Sequence, residues 1–422
     1  MSQRRRERAA VVGSGISGLT AAHVLQRRYD VTLYESAGRL GGHTDTHDVA
    51  TPDAGVVPID TGFIVHNEQT YPLLCRLFSE LEVETRPTTM SMSIHCEGCG
   101  LEYAGAKGLG GVFAQPRSVS NLAFLRLLAQ VPRFYREARQ TLDQDGVEIS
   151  LGEFLVRGEY SDYFASHFVV PIVACVWSVA PGAALEYPAR YLFTFLQNHG
   201  MLSIAGAPQW RTVVGGSRTY VDHVVKGLSA VATSTPVRAI VEQPQGVEVR
   251  TDDDEGILFD RVVVATHADT ALALLSNPTP GQRSILGAFE YSRNDTRLHT
   301  DATLLPKSKR ARAAWNFTLP TCDGLSENVI VSYDMNLLQG VPSSQAHVVT
   351  LNATGRVDEG RVLDRMNYEH PIYNAASLAA QRRLGELNST RLAFAGAYHG
   401  WGFHEDGCRS GVMAASSLGV TW

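Results

Sequence analysis

The feature of this chain that most constrains its fold is a glycine-rich turn that joins an apolar run to a predicted helix. Residues 9–12 are all apolar and lead directly into Gly-Ser-Gly-Ile-Ser-Gly at positions 13–18. A second apolar run, residues 31–34, ends on Glu35, about 20 positions after the second glycine of the turn. This order of strand, glycine turn, helix, strand and acid predicts a βαβ unit that binds a nucleotide.

Each glycine of the turn has a separate physical role in this prediction. Gly13 permits the tight turn, Gly15 lets the backbone approach a pyrophosphate, and Gly18 lets the helix pack close to the strand. The helix N-terminus offers free N–H groups and the positive end of its dipole to the phosphates. Glu35 is placed to accept hydrogen bonds from an adenosine ribose.

Composition places the chain among soluble globular proteins and excludes some classes of function. A length of 422 residues favours two domains, and a net charge of −6 argues against a nucleic-acid partner. Six cysteines are too few for a disulfide framework, which favours a cytoplasmic location. Cys96 and Cys99 form an isolated CxxC pair with no second pair or spaced histidines after it, so no metal site is predicted.

The sequence predicts neither a secretory signal nor a membrane span. The apolar run after the basic start is the nucleotide motif itself, and its removal would destroy the site. The uncharged stretch 168–185 contains Pro171, Pro181 and Gly182 and is expected to be a buried segment. Peripheral contact with the inner face of a membrane stays open, and the oligomeric state is not predicted.

Two kinds of pattern alternate along the chain and predict two interleaved domains. Nucleotide-domain patterns of alternating strands and helices occupy residues 1–84, 211–284 and 386–422. Longer aromatic amphipathic stretches and further strand-like runs occupy residues 85–210 and 285–385. These two segments are assigned to a substrate domain.

Further glycine-bearing turns follow the first motif. Residues 38–43, Gly-Arg-Leu-Gly-Gly-His, suit a backbone that wraps round a phosphate, with Arg39 supplying charge. Residues 59–63 offer another such turn. Near the C-terminus, residues 402–407 lead into a predicted helix whose N–H groups can point at an electron-rich ring.

Together these elements resemble the flavin amine oxidase superfamily, which includes monoamine oxidases and phytoene-desaturase-like enzymes. The resemblance covers essentially the whole chain and rests on the turn at 13–18 with Glu35, on residues 39–42, on residues 263–266 and on residues 394–396. It implies FAD as the cofactor. The implied fold is α/β, with a discontinuous Rossmann-like FAD-binding domain and an interleaved α+β substrate domain.

The resemblance also implies which residues contact FAD: Gly13, Ser14, Gly15, Ile16, Ser17, Gly18, Glu35, Ser36, Arg39, Leu40, Gly41, Gly42, His43, Thr44, Gly62, Phe63, Val237, Thr266, Gly396, Ala397, Gly402, Phe403 and His404. The backbone of Val237 would meet the adenine, and residues 402–404 would approach the isoalloxazine. Many relatives have Arg at the position of His43 and an acid at the position of Ala397.

Amine oxidases of this superfamily usually keep a lysine near the reactive nitrogen of the flavin. The chain has only four lysines, Lys107, Lys226, Lys307 and Lys309, and none lies in a matching motif. This observation weakens the amine-oxidase interpretation.

A subset of these flavoproteins, linked to modification of unsaturated and methyl-branched fatty acids, is more similar. The similar segments are residues 198–202, 210–217, 298–301, 315–317 and 396–407. The similarity implies desaturation of a lipid acyl chain by hydride transfer to flavin N5. Two alternatives are an amine oxidase that produces hydrogen peroxide and a non-catalytic flavin-binding partner of a lipid-modifying enzyme.

The candidate catalytic residues are His199, Tyr398 and His404. Imidazole titrates near neutrality, so His199, His299 and His404 are candidate acids or bases, although hydrogen bonding to the backbone or flavin is favoured for the first two. His43 and His47 have the spacing of a metal site, but the phosphate turn accounts for them better. Three tryptophans either wall a substrate channel or belong to the core: Trp177, Trp210 and Trp315.

Overall fold

The computed structural model describes residues 6–143, 148–203, 206, 208–252, 256–323 and 329–422. Its strands form five sheets, of which a parallel five-stranded sheet and a mixed seven-stranded sheet are the largest in the described part. The strands are β1 (Arg8–Val12), β2 (Asp30–Tyr34), β3 (Thr46–Thr51), β4 (Gly55–Asp60), β5 (His66–Asn67), β6 (Thr85–Thr88), β7 (Met92–Cys96), β8 (Glu102–Ala104), β9 (Trp210–Val213), β10 (Ala230–Ala232), β11 (Val237–Gln243), β12 (Gly246–Thr251), β13 (Gly256–Phe259), β14 (Arg261–Val264), β15 (Glu290–His299), β16 (Trp315–Leu319), β17 (Ile330–Asp334), β18 (Val348–Leu351), β19 (Val362–Ile372) and β20 (Leu392–Phe394).

The helices pack on both large sheets. They are α1 (Ile16–Leu25), α2 (Pro72–Glu80), α3 (Gly108–Val112), α4 (Leu122–Asp143), α5 (Leu151–Arg157), α6 (Asp162–Phe164), α7 (Val170–Trp177), α8 (Pro181–Leu185), α9 (Ala189–Asn198), α10 (Arg218–Lys226), α11 (Ala268–Leu274), α12 (Pro280–Leu286), α13 (Met335–Leu338), α14 (Ala375–Gln381) and α15 (His404–Ser417). A π-helical segment, Ala165–Val169, joins α6 to α7.

The parallel sheet has the strand order β10-β2-β1-β14-β20. Its central strands are buried on both faces, as expected for a parallel sheet covered by helices. The predicted βαβ unit is confirmed: β1 pairs with β2 in parallel, and α1 connects them. β14 and β20 come from distant parts of the chain, so the Rossmann-like fold is discontinuous, as predicted.

The seven-stranded sheet has the order β19-β15-β18-β17-β16-β7-β8. β7 and β8 precede the parallel strand β14 in the chain, whereas β15 to β19 follow it. The long helix α4 and the segment from α6 to α9 contribute to a large apolar core with this sheet. Hydrophobic side chains from the part of the chain before β14 and from the part after it therefore pack together, because β7 and β16 pair in parallel and join these two parts.

The uncharged stretch at 168–185 forms two short helices, α7 and α8, whose core-facing residues are buried. Among the described residues, no helix combines the length and apolar character that crossing a membrane requires.

Candidate functional site

One cavity of about 1030 Å³ opens at the carboxyl ends of β1, β14 and β20 and extends beside the seven-stranded sheet. Ligands of doubly wound folds bind at this edge of the parallel sheet. Twenty of the predicted site residues line the cavity: Gly13, Ser14, Gly15, Ile16, Ser17, Glu35, Ser36, Gly42, His43, Gly62, Phe63, His199, Val237, Thr266, Gly396, Ala397, Tyr398, Gly402, Phe403 and His404.

The glycine turn has the geometry that the sequence predicts. Gly13 has a φ of +102°, and a Cβ there would lie 2.6 Å from the carbonyl oxygen of Ala265. A Cβ on Gly18 would lie 1.9 Å from the carbonyl oxygen of Gly13, so any side chain would force α1 away from β1. In contrast, no atom lies within 4 Å of a Cβ built on Gly15. Open space therefore faces the N-terminus of α1, where a pyrophosphate fits.

Glu35 is tied to the same turn. Its Oε2 accepts hydrogen bonds from the backbone N–H of Ser14 at 3.0 Å and from the Ser14 hydroxyl at 2.5 Å. Its Oε1 accepts from the N–H of Ala37 at 2.9 Å. These bonds hold the carboxylate at the end of β2, beside the phosphate turn.

Five predicted residues lie beside the cavity lining rather than in it: Gly18, Arg39, Leu40, Gly41 and Thr44. Arg39 forms an ion pair with Asp45 at 2.9 Å and donates to the carbonyl oxygen of Gly42 at 2.8 Å. Its guanidinium therefore holds the loop in shape, because Asp45 already neutralises the charge that the sequence assigned to a phosphate.

His404 begins α15 and lies deep in the cavity wall. Its ring stacks on Phe63 with centroids 3.8 Å apart, and its Nε2 lies 3.0 Å from the Thr44 hydroxyl oxygen. Burial lowers the pKa of His404 to about 3, so the imidazole is neutral near pH 7. Its proton-transfer role stays a prediction, while its contacts fix the loop around Thr44.

His199 and Tyr398 present different chemistry to the cavity. The Nδ1 of His199 lies 2.9 Å from the carbonyl oxygen of Phe195, and the two rings stack at 3.9 Å. The tautomer that donates from Nδ1 leaves Nε2 as a proton acceptor, and burial lowers the pKa of His199. Burial raises the pKa of Tyr398 well above its usual range, so its hydroxyl remains a donor.

The structure adds residues that the sequence analysis missed. His43 packs against Tyr368 at 5.2 Å, His370 at 5.3 Å and His267 at 6.3 Å, and all four rings line the cavity. Burial lowers the pKa of His370 to about 4. Tyr368 and His370 are two positions apart on β19 and so share one face of the strand, but this spacing alone does not indicate that the face lines the cavity.

Other candidates from the sequence have structural roles. His299 does not line the cavity; it is fully buried, and its Nε2 lies 2.7 Å from the Thr350 hydroxyl oxygen. His47 is paired with Asp45 at 3.3 Å and Asp364 at 2.8 Å rather than with His43. The three tryptophans singled out by the sequence all line the cavity: Trp177, Trp210 and Trp315.

The lining fits a large ligand with both polar and ring surfaces. Four described lining residues carry a buried polar atom without a hydrogen-bond partner: His43 (Nε2), Tyr398 (hydroxyl), Trp315 (Nε1) and Trp401 (Nε1). Buried polar atoms are normally paired, so these atoms indicate a site built for a bound molecule. Together with the open space at Gly15, they fit FAD.

Comparisons with known proteins agree with this geometry. The sequence model of a family described as flavin containing amine oxidoreductase matches residues 16–292. A coproporphyrinogen III oxidase of Mycobacterium leprae (strain TN) is 25% identical over an alignment of 333 residues, and the match covers 72% of this chain and 71% of that protein.

Two solved structures illustrate the shared fold. A fatty acid isomerase from P. acnes that produces CLA has a TM-score of 0.72 at 14% identity, covering 98% of this chain and 99% of that one. Putrescine oxidase bound to putrescine has a TM-score of 0.70 at 16% identity, with 98% and 99% covered. The same fold therefore serves proteins with different substrates, and the cavity itself must indicate the substrate class.

Proposed function

Because this chain belongs to the flavin containing amine oxidoreductase family and is an FAD-dependent oxidoreductase, we propose that it desaturates an unsaturated or methyl-branched fatty acyl chain. The single observation that carries the substrate class is the apolar arm of the cavity. The apolar arm is the part lined by β7, α4, α7 and the π-helical segment, through Met92, Leu127, Leu128, Val131, Phe168, Ile172 and Val176.

The apolar arm suits a hydrocarbon chain better than an amine. Each methylene transferred from water into such a lining contributes about 0.8 kcal/mol. An ammonium group, in contrast, needs a carboxylate partner when it is buried. The described cavity lining contains two acids, of which Glu35 is bonded to Ser14 and Glu369 is paired with Arg293 at 3.0 Å.

The positions of the lysines also favour an acyl substrate over an amine, because amine oxidases of the superfamily usually keep a lysine near the reactive nitrogen of the flavin. All four lysines lie in the described part of the chain, and none of them lines the cavity. Lys107 donates to the carbonyl oxygen of Arg312 instead. Among the residues that the structure describes, the cavity lining thus offers an amine substrate neither a lysine nor an unpaired acid.

In the proposed desaturation, residues of this chain accept a proton, hold the accepting ring in place and exclude water. When bound, FAD supplies the acceptor for the two electrons of a C–H bond, as hydride at N5. The neighbouring carbon must lose a proton, and we assign its acceptance to Nε2 of His199. The stack of Phe403 on Phe195 at 4.9 Å holds the ring of His199 in place, since His199 stacks on Phe195 in turn. The aromatic walls exclude water from the reacting carbon atoms.

The experiment is a single-turnover reduction under anaerobic conditions. The FAD-loaded protein is mixed separately with dioleoyl phospholipid, with a 10-methyl-branched acyl phospholipid, with putrescine and with no substrate, while flavin absorbance is followed. We expect bleaching with an acyl substrate and a product two mass units lighter. Bleaching with putrescine alone, with peroxide release in air, would establish the amine oxidase instead. Full FAD occupancy without bleaching by any of these compounds would favour the non-catalytic partner.

A further inference from the structure

Four potential metal ligands meet outside the cavity. Cys96, Cys99, His167 and Cys322 each contribute one ligand atom, and these atoms all lie within 4.8 Å of one another. The sulfurs of Cys96 and Cys322 are 3.7 Å apart, as are the sulfur of Cys99 and Nε2 of His167. A tetrahedral zinc ion with Zn–S bonds of about 2.3 Å requires ligand sulfurs about 3.8 Å apart. The four side chains therefore already have the spacing of a zinc site.

The sheet explains why residues so far apart in sequence come together. β7 ends at Cys96 and pairs in parallel with β16, in a register that sets Cys96 opposite Leu319. The N–H of Glu97 donates to the carbonyl oxygen of Leu319 at 2.8 Å, just beyond the last pair. The turns after both strands consequently start at the same edge, one carrying Cys99 and the other carrying Cys322.

A glycine between the first two cysteines makes the approach of the second turn possible. A Cβ on Gly98 would lie 3.0 Å from both the backbone nitrogen and the sulfur of Cys322. The N–H of Cys96 donates to the carbonyl oxygen of Leu101 at 2.9 Å and closes the turn around Cys99. Gly100 has a φ of +69°, which any other residue type would adopt only with strain.

The histidine is oriented as a metal ligand usually is. Nδ1 of His167 lies 2.8 Å from the hydroxyl oxygen of Ser166, and its ring stacks on Tyr163 at 3.9 Å. The Tyr103 hydroxyl donates to the carbonyl oxygen of His167 at 2.7 Å. Ligating histidines generally have the second ring nitrogen held by such a partner, which leaves the first nitrogen free to bind the metal.

We propose that Cys96, Cys99, His167 and Cys322 bind one zinc ion with a structural role. Three thiolates and one imidazole complete a tetrahedron and leave no position open for a substrate. None of the four residues lines the cavity. The three thiols release their protons to solvent as the metal binds.

The site would fasten a wall of the cavity. His167 lies in the π-helical segment Ala165–Val169, and α7 continues directly from it. Phe168, Ile172 and Val176 on this stretch line the apolar arm. The zinc ion thus ties the stretch to the ends of β7 and β16, and this role holds whatever the substrate is.

The sequence predicts no metal site at Cys96 and Cys99, because neither a second cysteine pair nor spaced histidines follow them. The two missing ligands are single residues on separate segments, and only the parallel pairing of β7 with β16 and the packing of the π-helical segment bring them to the CxxC pair.

The test measures metal content in the FAD-loaded full-length protein, purified with reductant and without chelators. We expect about one zinc per chain by mass spectrometry of the metals, with content reduced about tenfold or more in Cys99→Ser and Cys322→Ser. Cys322→His should retain zinc, because histidine is itself a zinc ligand. The matched control is Cys75→Ser, since Cys75 lies outside the cluster and should leave zinc content unchanged.

A second measurement does not depend on the variants folding. The reduced wild-type protein, stripped of metal and titrated with Co²⁺ alone, should develop thiolate charge-transfer bands and intense d–d bands of a tetrahedral site. Absence of zinc in the purified protein together with absence of these bands would overturn the proposal. A disulfide that joins Cys96 to Cys99 or Cys322 in freshly purified protein would overturn it as well.

Discussion

The carboxylate of Glu35 accepts hydrogen bonds from both the backbone N–H and the hydroxyl of Ser14. The end of β2 is thereby locked to the first turn of the nucleotide site. The residue expected to hold the ribose also shapes the loop that faces the phosphates. Both functions depend on an acceptor with two charged oxygens.

Replacing Glu35 with Ala should weaken FAD binding by about 1.5–3 kcal/mol, as expected for loss of a charged hydrogen-bond acceptor. The measurement is a titration of the apoprotein with FAD, followed by flavin fluorescence. Glu290→Ala is the control, because Glu290 is exposed and does not line the cavity. An unchanged Kd in Glu35→Ala would show that Glu35 does not contact the cofactor.

Two alanine substitutions should separate packing from cofactor binding. Gly18→Ala places a Cβ 1.9 Å from a carbonyl oxygen and should destabilise the protein by about 1–3 kcal/mol or more. Gly15→Ala meets no atom within 4 Å and should leave the Tm of the apoprotein nearly unchanged. The same methyl group occupies the space for the pyrophosphate, so Gly15→Ala should bind FAD more weakly. Equal Tm losses in the two apoproteins would contradict this division.

The apolar arm predicts a selective effect on acyl substrates. Leu128→Glu introduces a charge into the lining and should slow flavin reduction by an acyl phospholipid about tenfold or more, since a buried unpaired charge is costly. The control is Leu125→Glu, because Leu125 lies on the same helix α4 and 36% of its surface is exposed to solvent. FAD affinity should be the same in both variants. Equal reduction rates would remove the apolar arm from the substrate site.

Stability should fall on acidification below about pH 6.5. Burial lowers the pKa of five histidines to about 4 or below: His66, His299, His370, His399 and His404. Between about pH 4 and pH 6.5 each of these histidines is neutral in the folded state but protonated in the unfolded state. The unfolded state therefore binds more protons, and the free energy of unfolding decreases as the pH falls. Burial raises the pKa of Asp60 and of Asp406 to about 6, so protonation of these two carboxyl groups favours the folded state as the pH falls. They are fewer than the five histidines.

The contribution of one histidine can be isolated with His299→Gln, which keeps a polar side chain at a site outside the cavity. Each such histidine contributes at most about 1.4 kcal/mol per pH unit to the slope. The free energy of unfolding, measured by denaturant titration at about pH 5 and pH 7, should therefore change less in His299→Gln than in the wild type. Identical changes would show that His299 is not buried in the neutral form.

The local parts of the site were predictable from the sequence. The turn at Gly13, Gly15 and Gly18 and the acid at Glu35 all belong to one βαβ unit, where turn chemistry and apolar periodicity are encoded within a few residues. The C-terminal turn before His404 was predicted in the same way. The positions of His267, Tyr368 and His370 were not predictable from the sequence. Only the pairing of β15 with β19 and the packing of these side chains bring them to His43.

The sequence by itself determined the glycine turn and its acid, because these depend on backbone conformations and spacings within short segments, and the resemblance to a known family implied FAD as the cofactor. Tertiary structure alone decided that Arg39 turns to Asp45, that His404 reaches Thr44, and that Cys322 and His167 join the CxxC pair. Such contacts join residues tens to hundreds of positions apart or depend on which neighbour a long side chain meets. Their geometry is set by strand order and core packing, which no short pattern in the chain encodes.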